Sequence, residues 1–285
     1  MLGFLKKKRS VVLVLGGGSA RGLAHIGVLK VLEKEKIPIH RIVGTSMGAL
    51  IGATYSAGMP LKKMEEIAHK FSWKTIFDPT LPRMGLLAGK KLAKVVAQMT
   101  ENKSFEQCRI PLAVVTTDIE KNERVVFQKG DLQKVLCASC SWPGIFNPVR
   151  IDGRLLVDGG IKNSVPTRIA RSIDPGYMVA VDVGFCVKEG KIDNIFQMLL
   201  QSFQIMGEEL NRYQARISDV MIKVDLGHNI DQVAFGKSRE AIAKGEKAAQ
   251  VKAGQIKRML SVYNFPSLKM AEQEEWRDRK NGGTD

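Results

Sequence analysis

Val11-Val12-Leu13-Val14-Leu15 is an unbroken apolar run that ends in glycine. That is the pattern of a strand buried on both faces of a parallel sheet. From about Ala20 to Lys36 the apolar positions change to helical spacing, at Leu23, Ile26, Leu29 and Leu32, and the segment ends in charges before Pro38. A short apolar run, Arg41-Ile42-Val43, then leads through glycine into the small-residue segment Ala49-Leu50-Ile51-Gly52-Ala53, a second strand and a second helix. A β-α-β-α start predicts a parallel sheet with crossover helices.

Gly58-Met59-Pro60 breaks the chain, and a helix is expected around Leu61 to Phe71. Residues 73 to 89 are rich in proline and glycine and are expected to form a loop or lid. Leu112 to Thr117 and Arg124 to Gln128 read as strands, and Asp131 to Ser139 as a helix. The Asp-Gly pair in Ile151-Asp152-Gly153-Arg154 predicts a hairpin turn. Leu155-Leu156-Val157 and Tyr177 to Val183 are further buried strands. The pattern is helical from about Ile192 to Ser218, with a last strand at Val220 to Val224 and a final helix at Lys237 to Leu260. The expected fold is one α/β domain: a central, mostly parallel sheet with helices on both faces, plus a C-terminal helical extension.

At 285 residues with 44% hydrophobic content, the chain can bury the core of one large domain. No apolar run reaches transmembrane length. In Met1-Leu2-Gly3-Phe4-Leu5-Lys6-Lys7-Lys8-Arg9 the charges follow the apolar residues, the reverse of a secretory signal, so a cytoplasmic location is expected. The net charge of +15 directs attention to anionic partners. Nucleic acid is not expected, because no nucleic-acid fold signature is present and aromatics make up only 6%. Peripheral contact with an anionic membrane surface fits the charge. Leu2, Phe4 and Leu5 beside four cations read as a solvated terminus able to touch headgroups. Cys137 and Cys140 form a C-x-x-C with no matching second pair or histidines, so no metal is expected and the pair reads as small residues packed on a helix or turn.

The candidate chemistry lies in three glycine-bearing segments. Gly44-Thr45-Ser46-Met47-Gly48 joins a strand to a helix and is a G-x-S-x-G elbow. A serine hydroxyl is a poor nucleophile until its geometry and its proton are managed, and the elbow manages the geometry. Gly16-Gly17-Gly18-Ser19-Ala20-Arg21-Gly22 follows the first strand. It lacks the Gly-Lys-Ser/Thr ending of a P-loop, and its spacing fails the dinucleotide fingerprint at Arg21. Bare amides at a helix start beside a serine elbow instead suit an oxyanion hole. Two bases compete for the serine's proton. His228 is the histidine whose place in the chain fits a triad, whereas His25 reads as packing, and His40 and His69 as surface residues. Asp158, with Gly159 and Gly160 behind it, ends a strand where open α/β sheets face their ligands.

Taken together, the loop at 16–22, the elbow at 44–48 and the Asp-Gly-Gly at 158–160 resemble the patatin-like phospholipase family. Ala24-His25-Ile26-Gly27-Val28-Leu29 and Ala138-Ser139-Cys140-Ser141-Trp142-Pro143-Gly144-Ile145-Phe146 also look like bacterial members. The resemblance covers about residues 11 to 184. It implies a patatin-like three-layer sandwich and a Ser–Asp dyad without histidine. Ser46 matches the nucleophile and Asp158 the general base. Gly16, Gly17, Gly18, Arg21 and Gly22 match the oxyanion loop, and Gly44, Gly48, Gly159 and Gly160 the motif glycines. The family's loop spacing puts a glycine where this chain has Ser19. The implied reaction is hydrolysis of lipid acyl esters through an acyl-enzyme with no cofactor; the second reading is a lipid-binding or regulatory protein on the same scaffold. The implied organisation is a basic segment (1–10), a catalytic domain (11–184), a mainly helical extension packed on it (185–269) and a mobile tail (270–285).

Overall fold

The computed structural model describes residues 10–81, 84–184, 191–214 and 217–262. The expected N-terminal contact at Leu2, Phe4 and Leu5 and the tail at 270–285 lie outside them. The chain runs through β1 (Val11–Leu15), α1 (Ala24–Lys34), β2 (Ile39–Thr45), α2 (Met47–Ser56) and α3 (Leu61–Lys70). Next come α4 (Trp73–Ile76), β3 (Gly85–Leu87), α5 (Lys90–Thr100), β4 (Leu112–Asp118), β5 (Glu123–Phe127) and α6 (Leu132–Ser139). After β6 (Gly144–Phe146), β7 (Val149–Ile151) and β8 (Arg154–Asp158) follow α7 (Gly160–Asn163), α8 (Thr167–Ile173) and β9 (Tyr177–Asp182). The described chain closes with α9 (Ile195–Gln214), β10 (Val220–Lys223) and α10 (Ser238–Val262).

An eight-stranded sheet lies at the centre in the order β10-β9-β1-β2-β4-β8-β7, with β5 paired to β4. The pairs β10/β9, β9/β1, β1/β2 and β2/β4 are parallel. The β4/β8, β8/β7 and β4/β5 pairs are antiparallel. Successive side chains of a strand point to opposite faces. Leu13 and Leu15 therefore enter a large core with α1, α2, α5, α6 and α10, while Val12 and Val14 enter a smaller one with Val165, Ile169 and Ala170 around α8. Both faces of β1 are covered, as its continuous apolar run requires. The fold is the expected three-layer α/β sandwich with a C-terminal helix.

The segment after residue 184 joins the same body. β10 extends the sheet beside β9, and α10 packs along α1. The two helices approach closely at glycines. A Cβ on Gly27 would overlap the Ile242 carbonyl oxygen, and one on Gly245 the Ala24 carbonyl oxygen.

Two stretches depart from the reading of the sequence. Residues 73–89 are not simply loop: they contain α4 and β3, and α5 follows without having been foreseen. β3 is three residues long and is held by β6, some sixty positions on, a pairing that no local periodicity announces. The Asp-Gly hairpin is present, with Asp152 and Gly153 at φ 48° and 76°, the left-handed pair that a two-residue turn demands.

Gly245 and Gly254 lie in one helix but differ in surroundings, since a Cβ on Gly254 meets only the distal end of Arg258, at 3.9 Å. Gly245→Ala is expected to destabilise the protein by about 1–3 kcal/mol through overpacking. Gly254→Ala is expected to stabilise it by up to about 1 kcal/mol through helix propensity. Urea unfolding of the two variants checks both signs.

Candidate active site

Ser46 lies between β2 and α2 with φ 53° and ψ −127°, a strained conformation for a residue with a side chain. The turn is tight because strand and helix almost touch. A Cβ on Gly48 would fall onto the carbonyl oxygens of Leu15 and Gly16, and one on Gly44 would lie 2.6 Å from the Ala49 Cα. Both positions therefore need glycine for close approach. The Ser46 N–H donates to the Ser139 hydroxyl at 2.9 Å, and that hydroxyl donates to the Val115 carbonyl at 2.7 Å. Ser139 is fully buried at the end of α6 and ties the elbow to β4.

The sheet register brings Asp158 to this elbow. Thr45 pairs with Val115 across β2/β4, and Thr116 pairs with Asp158 across β4/β8. Ser46 and Asp158 thus stand at one level on either side of β4, about 10 Å apart along the sheet by two strand spacings, a gap that their side chains span. Asp158 is 7% exposed. Burial pushes its carboxyl up to about 6, against the opposing pull of hydrogen bonding with the Ser46 hydroxyl and the Gly160 N–H. The Gly160 N–H lies 2.7 Å from Oδ1. A Cβ on Gly159 would lie 2.5 Å from the Val115 carbonyl oxygen.

The glycine loop meets the same cavity through Gly17, Gly18 and Ser19. The Gly16 and Gly17 amides are committed, donating to Val181 O at 3.1 Å and Ser164 O at 2.9 Å. Those of Ala20 and Arg21 donate to Gln232 O and Gly18 O. The Gly18 and Ser19 amides bond to no carbonyl among the described residues. Ser19 adopts φ 49°, the left-handed conformation that a glycine would take at this place. Arg21, expected at the oxyanion loop, turns away from the cavity. It is buried, and its guanidinium donates to the carbonyls of Val183, Gly184, Gly227 and Ile230. It braces the loops behind the site. Gly22 lies against the Met47 side chain.

The four histidines fall elsewhere. His25 is buried and donates from Nε2 to Gly16 O at 2.8 Å; burial holds it down at about 4, so it is neutral. His228 is exposed in the loop after β10 and does not line the cavity. His40 and His69 lie partly exposed at the surface, as expected, bonded to Ser10 and Asp174 and to Ser238 respectively. Cys140 faces the cavity beside Ser46 and Asp158, and burial raises its thiol well above the ordinary range, so it stays protonated.

The cavity, about 180 Å³, is mainly apolar. Phe71, Trp73 and Phe235 form one wall, with Phe71–Phe235 ring centroids 4.8 Å apart. Trp142 and Phe203 form another, at 5.8 Å. The segment expected as a lid thus supplies Trp73 and Ile76. Ser139, Phe203, Gln232 and Phe235 were not singled out by sequence reasoning as site residues, and only the serine lies in a stretch that carries the family resemblance.

Residues 13–171 match the family model described as patatin-like phospholipase. An uncharacterized NTE family protein of Mycobacterium tuberculosis is 36% identical over 179 residues, covering 61% of this chain and 49% of that one. Patatin-like phospholipase domain-containing protein 6 of Homo sapiens is 34% identical over 183 residues, 61% of this chain and 13% of that protein. The matched stretch therefore spans half or less of these relatives. The structure of VipD from Legionella pneumophila superposes with a TM-score of 0.53 at 14% identity, over 87% of this chain and 67% of that chain, a likeness of fold.

The raised Asp158 carboxyl has a consequence for stability. Between its ordinary value of 3.8 and about 6, the native state holds more of the proton than the unfolded chain does, so stability falls as pH rises through that window. Asp158→Asn removes the buried charge. It is expected to raise stability at neutral pH by up to about 3 kcal/mol, a gain that disappears in acid, as thermal unfolding across pH will test.

Proposed function

This chain belongs to the patatin-like phospholipase family, and from that premise we propose that it is a serine acyl hydrolase acting on lipid carboxyl esters through Ser46 and Asp158. The observation that carries the reading is the strained elbow serine beside a buried carboxyl, with no histidine among the described residues that line their cavity. Asp158 accepts the Ser46 proton as Oγ attacks the substrate carbonyl carbon. A carboxylate raised toward neutrality is the better base for that transfer. The amides of Gly18 and Ser19 receive the oxyanion. Collapse of the tetrahedral intermediate expels the alcohol, which takes the proton from Asp158, and leaves an acyl group on Ser46. Water then gives its proton to Asp158 and attacks the acyl carbonyl. The second collapse releases the acid and returns the proton to Ser46. The apolar walls suit an acyl chain.

Ser46→Ala and Asp158→Asn should each lower kcat/KM on a carboxyl ester at least about 1,000-fold, and the double variant little further, because the pair acts as a unit. Wild-type kcat/KM should rise with pH through a midpoint of about 6 as Asp158 ionises. His228→Ala should behave as wild type. Retained activity in Asp158→Asn with loss in His228→Ala would overturn the dyad. Failure of Ser46 to react with a fluorophosphonate would favour a binding protein on this scaffold.

The same reading includes peripheral contact with an anionic membrane. Leu81 is 84% exposed and Met84 57% exposed, in the stretch between the cavity-lining Ile76 and Leu92. Lys74, Lys90, Lys91 and Lys94 are exposed on the flanking helices. Apolar side chains with nearby cations are the composition of an interfacial anchor. The protein should sediment with phosphatidylglycerol vesicles at low salt and less at high salt, and Leu81→Asp with Met84→Asp should weaken binding. Absence of sedimentation at every salt concentration rejects the contact.

A further inference from the structure

The loop between β10 and α10 carries the unused group of the site. Gln232 is 2% exposed, lines the cavity with Ser46, Gly18 and Ser19, and among the described residues has no hydrogen-bond partner for either Oε1 or Nε2. Its backbone is fixed. The Gln232 carbonyl accepts the Ala20 N–H at 3.1 Å, and the neighbouring Ile230 carbonyl accepts from the Arg21 guanidinium. The residue is therefore anchored beside the cavity. A buried donor and a buried acceptor left unpaired are unfavourable, and a ligand that satisfies both recovers that free energy.

The chemistry of the partner follows from the carboxamide. It presents a donor and an acceptor side by side. A phosphate or a carboxylate only accepts and would leave Oε1 unpaired. An ammonium group only donates and would leave Nε2 unpaired. An alcohol hydroxyl both accepts and donates. The cavity lining agrees, because it has no Lys, Arg or His, and Asp158 is its one charged side chain among the described residues. An anionic headgroup would have no cation there to meet it.

We infer that Gln232 is a specificity residue that binds a free hydroxyl of the substrate, its carboxamide accepting from and donating to the same oxygen. This rests on the hydrolase reading above. Gln232 lies beyond residues 13–171, so the selectivity is supplied by the C-terminal segment and not by the part that matches the family model. The hydroxyl can sit on the leaving alcohol, as in a monoacylglycerol, or on the acyl chain.

The test compares kcat/KM of the full chain on monolauroylglycerol, on the methyl ester of a hydroxylated laurate, and on methyl laurate. One hydroxyl-bearing ester should be preferred over methyl laurate, and which one identifies the source of the hydroxyl. Gln232→Met should lower that preference about ten- to hundredfold. Gln232→Glu, which keeps the shape but loses the donor, should lower it in the same direction. An unchanged ratio, or an equal fall on all three esters, overturns the inference. Binding is read separately in Ser46→Ala by the thermal shifts with monododecyl glycerol ether and with the methyl ether of a hydroxylated dodecanol, and the probe whose hydroxyl meets Gln232 should lose its shift when Gln232→Met is added. If no ester is hydrolysed yet such a shift is seen and then lost, the hydrolase reading fails and the hydroxyl subsite stands. If neither probe gives a shift, or every shift seen survives Gln232→Met, the subsite fails whatever the turnover.

Discussion

The site depends on the register of β4 against its two neighbours. Val115 pairs with Thr45 in a parallel ladder, and Thr116 pairs with Asp158 in an antiparallel one. β2 lies along Leu112–Val115 of β4 and β8, running oppositely, along Thr116–Asp118, so the two strands end at the same level of β4. A slip of one residue on either side would turn the side chain to the other face. Such a slip of β4 is opposed by its packing, because Leu112 and Val114 belong to one core and the smaller Ala113 with Val115 to the other. Packing of the two layers thus sets the distance between the serine and the carboxyl.

The elements around that register hold it in a state the chain would not choose locally. Ser46 and Ser19 both adopt positive φ, at a cost of order 1–3 kcal/mol each. Asp158 is buried with no cation among the residues that shift it. The surroundings offset this strain with specific contacts. Ser139 caps the Ser46 amide, Gly48 permits the helix to lie on β1, and Arg21 gathers four carbonyls behind the glycine loop. A carboxyl that is unfavourable when ionised is also one whose proton affinity lies near neutral pH. The same burial that lowers stability gives Asp158 the proton affinity that the proposed role of base calls for.

The C-terminal segment completes the cavity it packs against. α10 lies on α1, directly behind the glycine loop, and its approach demands glycine on both helices. The loop that leads into it bonds Ala20 and Arg21 and sends Gln232 and Phe235 into the cavity. Phe203 and Met206 arrive from α9. The motif residues therefore sit in a wall built by parts of the chain that carry no motif.

Much of this was legible in the residues. The unbroken run at Val11–Leu15 could only be a strand covered on both faces. The glycines at 44 and 48 marked a close strand-to-helix turn, and such local matters of spacing and steric room are recorded directly in a linear sequence. The pairing of Ser46 with Asp158 and the loop between β1 and α1 was implied only by the family resemblance of the three glycine-bearing segments, since on the residues alone His228 competed for the place. Tertiary structure alone decided which loop amides are free, because the Gly16 and Gly17 donors are taken by Val181 and Ser164 from far along the chain. It also turned Arg21 from a cavity residue into a brace, showed α5 and the β3/β6 pair, and brought Phe203, Gln232 and Phe235 to the serine. Such placements depend on which donor meets which acceptor across more than a hundred residues, and hydrophobic periodicity carries no record of that.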